Sequence, residues 1–188
     1  MKQKMVKIDT SEVKKWTILN LWGKLVRVVD TSHTHTGRGS ATYTFKVKDI
    51  LSWATNTVTY KSWTTLEAAD VSYKNGVYLY SMGDTYVFME NDTSEMYEIP
   101  AEQIEDIIQY LKENLDVFLI KHEGKVIGIV LPTTISYKVV ETVPGVKGDR
   151  ATSGRKWAKL ETGLEVQVPL HVKEGDEVVV NTESWEVR

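Results

Sequence analysis

Apolar residues in this chain come in short runs separated by turn chemistry, a spacing that short strands can use and long helices cannot. Ile18 to Asp30 holds two such runs about Trp22-Gly23-Lys24, the pattern of a hairpin. From Ala41 to Val47 the residues alternate, with Tyr43, Phe45 and Val47 on one side and Thr42, Thr44 and Lys46 on the other. Val58 to Lys61 can pair with that strand, and Ser62 to Ala69 reads as a softer connecting stretch. Val77 to Tyr80 and Tyr86 to Met89 flank a turn at Ser81 to Asp84, and Val117 to Ile120 and Val126 to Val130 flank His122-Glu123-Gly124-Lys125. Ile135 to Val140, Leu164 to Val168 and Glu177 to Val180 continue the series. Many short strands with little helix predict small β-barrels.

One helix is expected. Pro100 precedes AEQIEDIIQYLKEN, in which Ile104, Ile107, Ile108 and Leu111 recur at i, i+3, i+4 and i+7. The acidic residues come early and Lys112 late, as the helix dipole favours. The stripe reads as core. Breaks near residues 67 and 131 divide the chain into 1–66, 67–130 and 131–188, a size that suits three small domains. The chain has no cysteine, so disulfides, thiolate metal sites and cysteine nucleophiles are excluded. No run approaches the roughly 20 apolar residues of a membrane span, and MKQKMVKIDTSEVKK has no apolar stretch behind it to make a signal peptide. A cytoplasmic monomer is expected.

The net charge of −3 hides an asymmetry. Residues 1–66 hold 9 Lys and 2 Arg against Asp9, Glu12, Asp30 and Asp49, giving 11 − 4 = +7. The remainder holds 12 basic and 22 acidic residues, giving −10. A first third that meets a polyanion would have this balance, and so would a small domain with a solvated basic face. Charge alone does not choose between them.

No Gly-rich phosphate loop, G-x-S-x-G elbow or compact carboxylate cluster marks an enzyme. His33-x-His35 share a strand face, but His122 and His171 are distant in sequence, so the pair reads as facing solvent or RNA and not a metal. A general oligonucleotide-binding OB-fold protein needs aromatic platforms. Tyr78, Tyr80, Tyr86 and Phe88 alternate as strand residues must, and support it weakly.

Sharper information lies in the last third. Lys156-x-Ala158, Gly163, Val166-x-Val168-Pro169, Val172 and Gly175 match the signature of the bacterial elongation factor P family. VVETVPGVKGD before it, and YLYSMGDTYVFMEND followed by YEIPAEQIED in the middle, resemble the same family. The resemblance implies a mainly β protein: an SH3-like, KOW-type domain followed by two OB-folds, set in an L that mimics tRNA. It implies a non-enzymatic translation factor that binds the 70S ribosome between the P and E sites, beside peptidyl-tRNA and ribosomal RNA, and relieves stalling at consecutive prolines. The related initiation factor that carries hypusine lacks the third domain; the elongation-factor-P-like paralogue, which also has arginine at its tip but on a longer loop, stays as the alternative.

By that resemblance His35, Thr36, Gly37, Gly39 and Ser40 form the tip loop around Arg38, the functional residue. Flanking glycines permit φ > 0 and close approach of backbone to RNA. A permanently charged guanidinium can fork onto phosphate or stack on a base. Thr36 replaces the family's common proline, and His35 stands where lysine is frequent. A branch of the family with arginine at the tip carries rhamnose there, which implies rhamnosylated Arg38 and an arginine-modifying enzyme as a partner, with no other cofactor and no metal. Gly148, Asp149 and Arg150 match a loop that approaches the E-site codon, and Arg188 stands near the place of the family's RNA-binding tail.

Six tryptophans remain. Trp53, Trp63 and Trp185 each follow a serine where the family has a turn glycine, and Trp16 stands at another such place. Trp22 precedes Gly23, and Trp157 occupies the signature's free position. An indole suits a turn that wants φ > 0 badly. UGA codons read as glycine in the cell and written as tryptophan would produce this pattern.

Overall fold

The computed structural model describes residues 4–35, 37–145 and 154–188, and places fifteen strands in three antiparallel sheets. The first sheet takes β1 (Met5–Asp9), β2 (Ile18–Leu21), β3 (Lys24–Thr34), β4 (Thr42–Asp49), β5 (Thr55–Lys61) and β6 (Thr65–Ala69), in the order β1-β6-β2-β3-β4-β5. The second takes β7 (Ser72–Met82), β8 (Thr85–Glu90), β9 (Met96–Pro100), β10 (Asp116–His122) and β11 (Lys125–Val130), ordered β11-β10-β7-β8-β9. The third is β14-β13-β12-β15, from β12 (Thr134–Thr142), β13 (Arg155–Leu160), β14 (Glu165–Pro169) and β15 (Glu177–Asn181).

Expected hairpins form where turn chemistry flanks apolar runs. Trp22-Gly23 joins β2 to β3 with φ of 53° and 76°, and Glu123-Gly124 joins β10 to β11 with 50° and 77°. Both residues left-handed is the I′ geometry that matches strand twist. The stretch from Ser62 is firmer than its composition indicates. β6 crosses the expected break near residue 67, pairing with β1 from Met5↔Ala69 to Asp9↔Thr65 and with β2 at Leu19↔Ala68. The first sheet therefore runs on to Ala69.

The helix is the element that departs most. Within the expected segment only Ala101–Ile104 is α-helical (α1), and a single 3-10 turn follows at Ile108–Tyr110. The carbonyls of Glu102 and Gln103, which would continue the α ladder, accept instead from Lys48 Nζ and from Arg27 at 3.0 Å. The ladder tightens, and the Ile107 N–H donates to the Ile104 carbonyl three residues back. Ile104, Ile107 and Leu111 still reach the core, because turns spaced by three or four residues can bury the same stripe.

One core lies within the first sheet, around Leu19, Val28, Phe45 and Val47. A second unites the other two sheets, with Phe88, Leu119 and Ile129 joined to Tyr137, Leu160 and Val180. The Tyr137 hydroxyl donates to the Tyr110 carbonyl at 2.6 Å across that junction. Ile18 and Ala69 from the first sheet meet Ile120 and Ile127 from the second.

Eight non-glycine residues have φ > 0 among those described, and five are tryptophan: Trp16 (78°), Trp22 (53°), Trp53 (61°), Trp63 (67°) and Trp185 (60°). The expectation at Trp16, Trp53, Trp63 and Trp185 holds, and Trp22 joins them. Left-handed backbone costs a side chain about 1–2 kcal/mol relative to glycine. Five such sites cost about 5–10 kcal/mol, against a total stability of about 5–15 kcal/mol for an ordinary protein.

Candidate functional site

Strands β3 and β4 form a ribbon whose two ends differ in chemistry. At its base Arg27 and Lys48 stand directly opposite each other, and both are buried, at 2% and 4% exposed. Arg27 reaches into the second sheet, where it donates to both carboxylate oxygens of Asp106, at 3.3 and 3.0 Å. Its arm passes Gly128 of β11, where an added Cβ would lie 2.9 Å from Arg27 Cδ. Lys48 donates to the Glu102 carbonyl and to Glu105 at 3.2 Å. Two buried cations thus bind the ribbon to the segment after β9, each with a carboxylate and a carbonyl to satisfy it.

A bulge between Val28 and Asp30 follows, and the ribbon then runs in register to Thr34↔Thr42. At its far end the His33 ring stacks on Tyr43, with centroids 4.4 Å apart and planes 20° apart, and the His35 ring meets His33 edge-on at 4.7 Å. The rings brace the outgoing limb of the loop. The returning limb is held at Ala41, whose buried carbonyl accepts the N–H and the hydroxyl of Ser62, each at 2.8 Å. Between these anchors Gly37 takes φ of +36°, and Arg38, Gly39 and Ser40 are exposed.

Beside the tip lies a cleft of about 350 Å³, lined by Asp9, Ser11, His33, His35, Tyr43 and Trp63 among others. Asp9 is a capping residue there. Its carboxylate accepts from the Ser11 hydroxyl at 2.7 Å and the Ser11 N–H at 2.8 Å, which hold it below the ordinary aspartate range. Glu12 closes the capping box on the Asp9 N–H at 2.7 Å.

Of the residues singled out in sequence, the structure brings His35, Gly37, Arg38, Gly39 and Ser40 together at the ribbon's end. Thr36 and the loop residues Gly148, Asp149 and Arg150 lie outside the described residues. Arg188 is elsewhere: its N–H donates to the Val179 carbonyl at 3.0 Å, tying the chain end to β15. Sequence reasoning missed Arg27 and Lys48. A signal was present, since Arg27 interrupts the run Leu25-Val26 and Val28-Val29, and a cation inside an apolar strand needs a buried partner.

The chain matches three family models: the elongation factor P KOW-like domain over residues 9–66, the elongation factor P OB domain over 71–129, and the elongation factor P C-terminal domain over 135–186. Two proteins named elongation factor P, from Thermosipho africanus and Moorella thermoacetica, are each 39% identical over 179 residues, covering 95% of this chain and 97% of theirs. The chain belongs to the elongation factor P family. A solved structure described as eukaryotic translation initiation factor 5A from Methanococcus jannaschii covers 70% of this chain and 98% of its own, at 21% identity and a TM-score of 0.41.

Membership makes the chain a relative of translation factors and sets aside the general oligonucleotide-binding reading. It identifies the first sheet with the KOW-like domain and the second and third with the OB and C-terminal domains. No helix among the described residues is long and apolar enough to cross a membrane.

Proposed function

We propose that this family member binds the 70S ribosome between the P and E sites and stimulates peptide-bond formation at consecutive prolines, presenting Arg38 to the end of the P-site tRNA. The observation that carries this reading is the placement of Arg38, exposed at the tip of a ribbon whose base is fixed by two buried cations and their carboxylate partners. A guanidinium held there can contact phosphate or stack on a base without supplying acid, base or nucleophile. The gain is positional: peptidyl-tRNA held in a reactive geometry loses part of the entropic barrier, and ribosomal RNA remains the catalyst. Lysines on the KOW-like domain supply salt-dependent attraction to RNA without reading sequence.

Within the same reading, rhamnose on Arg38 lengthens its reach and implies an arginine-modifying partner enzyme. Gly148, Asp149 and Arg150 approach the E-site codon, and Arg188 contacts small-subunit RNA. A polyproline-stalling reporter in a strain lacking its own factor tests the central claim. The wild-type protein relieves stalling and Arg38→Ala does not; equal relief by both would remove Arg38 from the mechanism. Mass spectrometry of the tip peptide from the native protein reads the rhamnose directly, and an unmodified peptide would exclude it.

A further inference from the structure

The five left-handed tryptophans are a property of the chain that the tip-loop mechanism does not use. A bulky residue at φ > 0 is an outlier, and such conformations occur in a few per cent of non-glycine residues. At that frequency, five of six tryptophans by chance is on the order of one in a million. The preference follows residue type and not burial, since Trp63 is 87% exposed and Trp22 72% exposed, while Trp16 and Trp185 are partly buried.

Two of the turns are the same device used twice. Asp49 Oδ1 accepts the N–H groups of Leu51 and Ser52 at 2.8 and 3.0 Å, and the Trp53 N–H closes onto the Asp49 carbonyl at 3.1 Å. Asn181 Oδ1 accepts from Glu183 and Ser184 at 2.8 and 3.0 Å, and the Trp185 N–H closes onto the Asn181 carbonyl at 2.9 Å. In both, the tryptophan holds the left-handed position that ends the turn, a position that glycine fills without strain. Trp22 holds the first place of a I′ turn, where asparagine, aspartate or glycine belongs. By contrast, Trp157 lies in β13 with extended neighbours and no left-handed backbone.

We propose that residues 16, 22, 53, 63 and 185 are glycine in the protein as its cell makes it, their codon being UGA, and that Trp157 is a true tryptophan encoded by UGG. UGA is one base from the tryptophan codon UGG and one base from the glycine codon GGA. A lineage that reads UGA as glycine therefore yields this pattern when the gene is read by the wrong table. The consequence reaches the functional end of the molecule. Glycine at 63 removes an indole from the cleft beside the tip loop, and glycine at 53 removes one from the cavity between the first two sheets. The surface next to Arg38 then presents backbone in place of a ring.

Some contacts are lost with the indoles, and they set the order of effects. Trp16 lies under Arg27, 5.8 Å from ring centroid to guanidinium, and Trp185 stacks on Tyr110 at 3.8 Å. Glycine should therefore help most at 22 and 63 and least at 16 and 185.

Peptide mass mapping of the protein purified from its own organism decides the matter. Glycine at the five positions and tryptophan at 157 is the expected result; tryptophan at the five positions overturns the proposal. A recombinant series tests the structural argument separately. The fivefold Trp→Gly variant should melt about 10 °C or more above the chain as written, while Trp157→Gly should melt no higher than that chain. A fivefold variant that melts lower would show that these backbones do not want glycine.

Discussion

Arg27 and Arg38 occupy opposite ends of one ribbon, and the same side chain meets opposite surroundings in the two places. Arg27 is 2% exposed and spends its charge on Asp106 and a backbone carbonyl inside the protein. Arg38 is exposed between a stacked histidine limb and the Ala41 anchor. The difference teaches that a charge count says how much cation a domain holds and not where it acts. Of the 11 basic residues in 1–66, Arg27 and Lys48 are paired internally with carboxylates of the following domain. The excess offered to a polyanion is smaller than the bare sum of +7.

The two ends can be separated by mutation. Arg27→Ala should destabilise by about 3 kcal/mol, because it leaves a carboxylate and a buried carbonyl without their donor. Arg38→Ala should stay within about 0.5 kcal/mol. Denaturant midpoints at constant slope measure both, and similar values would erase the contrast. Lys48→Ala should cost less, about 1.5 kcal/mol, since its partner Glu105 is largely exposed and can return to water.

On ribosome binding the order reverses. Arg38→Ala should reduce the slope of log affinity against log salt by about 0.7–0.9, whereas a conservative Arg27→Lys should leave that slope alone. A filter-binding or sedimentation series across salt concentrations reads the slopes.

A third ion pair sharpens the comparison because it stays within one sheet. Lys121 donates to Glu90 at 2.9 Å, and that hydrogen bond holds the Glu90 carboxyl below the ordinary glutamate range, against its burial. A depressed carboxylate stabilises the native state fully above the ordinary glutamate pKa of about 4.3, and the effect fades as pH falls through the lower native value. Glu90→Gln should therefore be less stable than the parent near neutral pH, with the gap closing below about pH 4.3. Melting curves across acidic pH test this, and a gap independent of pH would assign the loss to packing alone.

Legibility followed chemistry that is local. Hairpins with a left-handed pair in their loop were readable, since Glu123-Gly124 between apolar runs has few other uses. The alternation from Tyr43 to Val47 gave the right inward face, with Phe45 and Val47 fully buried. β6 was not readable, because Thr65-Leu66-Glu67-Ala68-Ala69 has weak strand propensity and is held by β1 and β2 from far along the chain. The helix is shorter than its apolar stripe for the converse reason. Its isoleucine stripe is real, but the carbonyls that would extend it are claimed by cations more than fifty residues away in sequence. At the candidate site, Arg38 is singled out by family resemblance alone, while the clamp under it is a tertiary fact with only a lone arginine in an apolar strand to announce it.

The ribbon's clamped base has a consequence in angles. From Arg27 to Thr34 the strand rises about 24 Å at 3.4 Å per residue. A tilt of about 5° at the base would swing the tip by about 2 Å over that length, and a misplacement of about 1 Å can cost a reaction about a hundredfold. The ribbon is a lever, and its long arm magnifies any looseness at the fulcrum. Arg27 and Lys48 thus set the position of a tip residue they never touch.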